Sequence, residues 1–516
     1  MDSFHGIAHG LAIAVMPTHL LYTLVGVFTG TMISHLPGIG PSAGIALLIP
    51  ATFGMDPSAA LMMLAGIYYG CMYGGAVTAI LLNTPGDAAA VMTVLDGYPM
   101  ARKGRAGAAL AIAAVSSFIA GTLGITALAF VAVPLSELAL KFGPAEYFTL
   151  ILFALTTVSA LTGESIAKGM MATCIGLAIS TIGLDLQSGT ARFTLGLNEL
   201  QDRVNFLVVA VGMFALSEVS RMVEGTREGT MHAVRVQGRL WFTLEEWKRA
   251  WPAILRGGSV GFFCGAAPGL GGTISAMLSY ILEKKVSRRP EEFGHGAIEG
   301  VACPEASTHS SVQGDFIPTM SLGIPGDTVM ALLLGALIIH GIVPGPQLIT
   351  QHADIFWGLI ASFWIGNILL VVLNVPMIGL WVKLLSIPYR YLYPSAMFFV
   401  CIGVYAASND MFQVGETLVI GIVGYILLRL DFHPAPILLG FVLGPRFEEN
   451  FRRSLLISRG DLMTFIERPI SAFFLFICVV LLSAQIYVWL RKPKIVQEEK
   501  ALEAQVSATP YSGLAE

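Results

Sequence analysis

The sequence predicts an all-α polytopic membrane protein made of two inverted structural repeats, with re-entrant hairpins and broken helices. Three observations predict it: an apolar composition, an internal duplication, and the placement of basic residues. Of 516 residues, 55% are hydrophobic and 12% charged, with a mean hydropathy of +0.73. A soluble surface usually needs about a quarter charged residues, so the solvent is lipid. Apolar runs at 106–133, 355–375 and 470–490 each reach the roughly 20 residues that a crossing requires. The whole chain yields roughly ten to twelve spans or half-spans on that criterion. The net charge of −4 is small, and no nucleic-acid partner is expected. Six cysteines lie mostly inside apolar runs without C-x-x-C spacing, which implies neither disulfides nor zinc. No cleavable signal peptide is expected, because residues 1–10 lack a basic n-region.

The duplication sets the domain plan. Gly26-x3-Gly30-x6-Pro37-Gly38-Ile39-Gly40 returns as Gly257-x3-Gly261-x6-Pro268-Gly269-Leu270-Gly271, an offset of 231 (268 − 37). A second motif follows each copy, Asn83-Thr84-Pro85-Gly86-Asp87 and Gly323-Ile324-Pro325-Gly326-Asp327, at an offset of 240 (325 − 85). The extra residues in copy two match the charged stretch Lys284 to Glu292, an insertion in a loop. Residues 1–220 are read as an N-terminal helix and first repeat, and 221–256 as a basic cytoplasmic linker. The second repeat covers 257–446, a connecting segment and last transmembrane helix 447–495, and a disordered polar tail 496–516.

Basic loops mark the cytoplasm. Arg102, Lys103 and Arg105 follow the second motif of copy one, whereas Lys284, Lys285, Arg288 and Arg289 lie between the motifs of copy two. The corresponding loops at 53–57 and 345–354 carry no lysine or arginine, so the copies are predicted to face opposite ways. Inverted repeats of this kind recur in secondary transporters, with the substrate site near the midplane between the halves.

If Arg256 and Lys284 share a side, 257–283 splits into two arms of about 11 residues, each roughly 16 Å long and half the hydrocarbon core. This predicts a re-entrant hairpin with Pro268 to Gly272 at its tip, and residues 26–54 as its counterpart. Non-helical backbone at that depth is tolerated where it lines a wet cavity. Glycine permits the turn, or close approach of a ligand, at Gly38, Gly40, Gly269 and Gly271. Ser42 and Thr273 open the following half-helices, whose N-termini suit an anion. The breaks add Asn83, Thr84, Gly86 and Gly326 to the predicted substrate site. Free carbonyls at Pro37, Gly38, Thr84, Pro268, Gly269 and Ile324 suit a cation such as sodium.

Blander readings stand beside these. A lone Pro-Gly pair marks an ordinary turn, and Asp87 and Asp327 are equally well read as helix caps. Glu299 and Glu305 are functional candidates as intramembrane acids, or interfacial residues beside the charged loop. His295, Glu299 and Cys303 fall at i, i+4, i+8, the spacing of metal ligands on a helix, which makes an intramembrane metalloenzyme the rival class. The sequence has no His-Glu-x-x-His, Gly-x-Ser-x-Gly or Walker A motif, so no catalytic residue is assigned.

Several long motifs then carry a resemblance. Leu36-Pro37-Gly38-Ile39-Gly40-Pro41, Tyr68-Tyr69-Gly70-x2-Tyr73-Gly74-Gly75, Asn83-Thr84-Pro85-Gly86 and Asp96-Gly97-Tyr98-Pro99-Met100-Ala101-Arg102-Lys103-Gly104 resemble the large membrane subunit of the tripartite tricarboxylate transporters, the TctA type. Phe293 to Ala306 and Leu322 to Gly326 in copy two agree. The resemblance implies a permease importing a small di- or tricarboxylate across a bacterial inner membrane, coupled to sodium or the membrane potential. It implies a periplasmic solute-binding protein and a small four-helix membrane subunit as partners. No cofactor is implied, and homo-oligomer formation is left open. Where the family usually carries paired asparagines after Pro304-Glu305-Ala306, this chain reads Ser307-Thr308-His309-Ser310, so Thr308 and His309 are candidates for substrate choice. His309 is read either as proton-sensitive or as a hydrogen-bonded structural residue.

Overall fold

The computed structural model describes residues 3–35, 40–161, 165–185, 187–220, 234, 240–384, 389–484 and 487. Pro37, Gly38, the linker up to 239 apart from Val234, and the tail 496–516 lie outside the described residues. Among those described, the regular structure is helical except for one two-stranded ladder, β1 (Gly183–Leu184) against β2 (Ala191–Arg192).

The chain opens with α1 (Ser3–Ala14) and α2 (Pro17–Ser34), bent by 83° from one another. Pro17 makes the corner, since a missing N–H is harmless only at a helix start. After the first break come α3 (Pro41–Leu48) and α4 (Pro57–Leu82). The carboxylate of Asp56 caps α4 by accepting the Ser58 and Ala59 amides, and Asn83, left-handed at φ 58°, ends it. Then follow α5 (Val91–Met100), α6 (Ala106–Ala139), α7 (Pro144–Leu161), α8 (Ile166–Ser180) and α9 (Phe206–Ser220).

Copy two repeats the pattern with α10 (Leu244–Ala266), α11 (Gly271–Val286), α12 (Glu299–Leu322) and α13 (Thr328–Ile339). The arm before its tip is longer than predicted. It starts at Leu244 on a capping box between Thr243 and Glu246 and carries Arg249 and Arg256 within the helix. The rest comprises α14 (Pro346–Gln351), α15 (Ala353–Leu384), α16 (Tyr389–Ser408), α17 (Met411–Arg429), α18 (Pro434–Ile457) and α19 (Pro469–Ala484). Here α18 runs unbroken past residue 446, where the repeat boundary was drawn; it carries Pro445 inside the helix.

Two helices make the centre. α4 and α12 are buried along almost their whole length, α2 packs on α4, and α10 packs on α12. The same contacts recur in both copies. A Cβ at Gly26 would collide with the carbonyl oxygen of Met63, and one at Gly30 with that of Ile67; Gly257 and Gly261 stand in the same relation to Cys303 and Ser307. Small residues here let two backbones touch. The packing also crosses between copies, α6 against α12 and α15 against α4.

The basic loops gather. Asp96 Oδ1 accepts the amides of Gly294, Gly296 and Ala297 at 2.8–2.9 Å, and its Oδ2 accepts the Tyr280 hydroxyl at 2.8 Å. Lys103 Nζ donates to the His295 carbonyl at 2.6 Å, and Arg105 pairs with Glu246. Next to the loops without bases, Thr52 and His340 lie 3.4 Å apart, and His9 of α1 meets Asp354 at 2.6 Å.

Candidate functional site

The described end of the first Pro-Gly motif, the second Pro-Gly motif and both breaks meet at one cavity of about 590 Å³. The first copy lines it with Gly40 to Ala43 and Pro85 to Asp87, the second with Gly269 to Ile274 and Asp327 to Val329. Tyr68, Met72, Val158, Phe214, Glu218 and the turn at His433 to Ala435 complete the wall. Each tip leans on the break of its own copy. A Cβ on Gly40 would lie 3.7 Å from Asp87 Cβ, one on Gly271 would lie 3.2 Å from Asp327 Cβ, and the Gly269 amide donates to the Gly326 carbonyl at 2.7 Å.

Of the predicted substrate residues, Gly40, Ser42, Gly86, Gly269, Gly271 and Thr273 line the cavity. Asn83, Thr84 and Gly326 stand behind it: Asn83 ends α4, Thr84 Oγ1 donates to the Leu82 carbonyl at 3.3 Å, and Gly326 receives Gly269. Thr308 and His309 are not on the lining. Both are buried in α12, where the Thr308 hydroxyl donates to the Pro304 carbonyl at 2.8 Å and His309 Nδ1 lies 3.1 Å from the Glu305 carbonyl. Among the predicted cation residues, Gly269 lines the cavity, Pro268 precedes it in the same Pro-Gly motif, Thr84 and Ile324 lie in the breaks, and Pro37 and Gly38 are outside the described residues.

Two expectations are corrected. Gly269 and Gly271 are left-handed, φ 91° and 53°, but Gly40 has φ −76° and ψ 177°. It is an extended N-cap that any residue could adopt, so of the two expectations for this glycine, a turn or close approach of a ligand, only the turn is corrected. The metal-ligand spacing also fails. Gly294 and Gly296 are left-handed at φ 87° and 103°, so the chain turns before α12 begins at Glu299 and His295 never joins that helix. Glu299 is taken by Arg249 at 2.7 Å, Cys303 Sγ donates to the Ser279 carbonyl at 3.4 Å, and among the described residues no three such side chains could share a metal.

The cavity's electrostatics combine helix starts with the carboxylates of Asp87, Glu218 and Asp327. The N-terminal turns of α3, α11, α13 and α18 open on it, presenting the positive ends of helix dipoles; in α18 the turn Pro434-Ala435-Pro436 has a single amide, which donates to His433 Nδ1 at 3.4 Å. Ser42, Thr273 and Thr328 add hydroxyls, and the described lining contains no lysine or arginine. Asp87 and Asp327 turn one oxygen each to a helix start: Oδ1 accepts the Ala90 and Met330 amides respectively, at 2.7 Å. Asp327 is therefore the N-cap of α13, whereas Asp87 closes the turn just before α5, and both line the cavity. Asp327 Oδ2 accepts the Tyr68 hydroxyl at 2.9 Å, a bond from one copy to the other. Such a chamber suits a small anion, held by amides and hydroxyls rather than by a cationic side chain.

Sequence reasoning missed Tyr68, Glu218 and His433 at the wall and Asp315 behind it. Tyr68 and His433 carry no local signal, since their roles depend on distant partners. Asp315 had one: it is the only charged residue between Glu305 and Asp327.

Broken helices around a shared chamber, in a chain of apolar helices, define a multi-pass membrane protein of the transporter class. The chain matches the Tripartite tricarboxylate transporter TctA family over residues 20–439 and belongs to that family. It is 47% identical over 484 residues to an uncharacterized 52.8 kDa protein in the TAR-I ttuC' 3'region of Agrobacterium vitis, covering 93% of this chain and 96% of that one. An uncharacterized protein in the TAR-II ttuC' 3'region of the same organism is 52% identical over 224 residues, which is 43% of this chain and 93% of the relative. No solved structure matches.

Proposed function

We propose that this protein is the permease subunit through which a small di- or tricarboxylate is imported across the bacterial inner membrane, driven by sodium and fed by a periplasmic binding protein. A small four-helix membrane subunit completes the assembly. The observation that carries the reading is the chamber itself: equivalent segments of both copies form one wall, and four helix N-termini open on it. Backbone amides and dipole ends compensate carboxylate charge without the desolvation that a buried arginine would bring. We read the copies as inverted and the tips as re-entrant. Support comes from the loops: the one after the second motif of copy one bonds to the one between the motifs of copy two, and residues next to the remaining two meet elsewhere.

The test is uptake of labelled dicarboxylates and tricarboxylates into vesicles holding the complete system, with and without an inward sodium gradient. Accumulation of at least one carboxylate is expected, and only with the gradient. Accumulation that ignores sodium would remove the coupling, and none from any of the panel would remove the substrate class.

A further inference from the structure

Among the described residues, the buried carboxylates taken with the half-buried break aspartates Asp87 and Asp327 fall into two sets. Glu146, Asp185, Glu283 and Glu299 each face an arginine, at 3.0, 3.0, 2.6 and 2.7 Å, and Asp96 is saturated by amides and a phenol. Asp87, Glu305, Asp315 and Asp327 have no lysine or arginine among the described residues. Glu305 takes the hydroxyls of Thr93 and Ser117, Asp87 accepts the Ala90 amide in the turn before α5, and Asp327 caps α13. Asp315 has nothing: it is 0% exposed, and neither carboxylate oxygen has a hydrogen-bond partner.

Its position is singular in another way. The duplication at offset 240 pairs Asp315 with Gly75, and the surrounding contacts keep that register. In copy one the break glycine Gly86 packs on Gly75; in copy two Gly326 packs on Asp315. The second copy therefore sets a carboxylate beside Asp327 where the first copy has no side chain. Asp315, out of water and without a counter-charge, bears a desolvation penalty of several kcal/mol, and Asp327, half-buried in the chamber wall, places a second carboxylate beside the same glycine. Hard oxygen donors select hard cations over soft metals, and the chain ending at the C-terminus of α12 adds carbonyls of the kind that hold sodium at broken helices.

We propose that Asp315 and Asp327 together hold one sodium ion in the wall between α12 and the anion chamber. The inference rests on the transport reading above and adds the place of the cation. Without it the wall carries uncompensated negative charge beside the anion's seat; with it the wall accepts an anion. Cation and anion affinities are then reciprocally linked.

The experiment measures the thermal midpoint of the purified assembly in sodium chloride against potassium chloride at equal ionic strength, with no carboxylate present. A ligand that binds only the folded state raises the midpoint. Sodium should raise it and potassium should not, and Asp315→Asn should weaken the apparent sodium affinity by about tenfold or more. Asp315→Gly, which installs the copy-one residue, should do the same. A sodium effect undiminished in either variant overturns the proposal, as does a wild-type midpoint that responds to pH but not to sodium, which would leave a shared proton between the carboxylates. If neither variant can be purified, equilibrium dialysis of the wild type with radioactive sodium decides, and absence of saturable binding is fatal. A sodium-specific shift with no carboxylate uptake would instead sink the transport reading and leave the cation site standing.

Discussion

A valine at Gly269 or Gly271 meets a left-handed backbone, which a β-branched residue adopts only at a cost of about 1–3 kcal/mol. At Gly269 an added Cβ would also approach the Thr157 side chain at 2.8 Å. Either substitution should abolish uptake by protein that still inserts. Gly40→Ala should not, because the backbone there is extended and the nearest atom to a new Cβ is 3.7 Å away. Equal loss at Gly40 and Gly269, measured in vesicles, would mean that ligand approach rather than backbone strain governs both tips. A second residue bears on pH. The Gln187 amide, the Ser188 hydroxyl and the Arg452 guanidinium hold the Asp185 carboxyl down at about 2. A depressed pKa contributes stability that is present above the ordinary carboxylate value near 4 and lost as pH falls through about 2. Asp185→Asn should therefore lower the thermal midpoint at neutral pH, and the difference from wild type should close between about pH 4 and about pH 2. A difference that persists below that window would assign the effect to packing.

Helix pairs set the next scale. Gly30→Ala and Gly261→Ala each push a Cβ into the carbonyl oxygen of the facing helix, so α2 must part from α4, or α10 from α12. Overpacking of this kind typically costs about 1–3 kcal/mol, and both variants should show a lower thermal midpoint in detergent, with the yield of inserted protein falling in step. An unchanged midpoint would mean that the contact relaxes without strain. The demand for glycine at these positions is hidden in the sequence, because spacing does not reveal that the neighbour is backbone rather than side chain. Other elements were legible for good reason: apolar runs and duplicated motifs report directly on lipid exposure and on breaks. The helix they conceal is α12. It carries Glu299, Glu305, His309, Gln313 and Asp315 and yet is buried throughout, so hydropathy points away from the element at the centre. Its polar groups are tolerated through partners such as Arg249, fifty residues away in sequence, and pairings at that range leave no periodic trace. The reading of His295, Glu299 and Cys303 as one face failed for a related reason, since two glycines could have continued the helix or ended it.

For the whole molecule, the sidedness of the two copies is open to labelling. With the six native cysteines replaced, single cysteines at Gly104 and Ser287 should react only from the cytoplasm, and those at Met55 and Gln351 only from the other side. Reaction of Met55 and Gly104 from one side would sink the inverted arrangement. The knot around Asp96 has a consequence of a different kind. The amides of Gly294, Gly296 and Ala297 are bonded to a carboxylate of the other copy and not to their own segment. Fraying of the loop alone cannot free them; deuterium can reach them only when the two halves part along this face. Three loop protons thus become a clock for the separation of the copies, set by an opening free energy rather than by local motion. Mass-resolved exchange of the peptide around 293–298 should be slow in the wild type and fast in Asp96→Ala, and a substrate that draws the halves apart at this face would quicken it in the wild type alone.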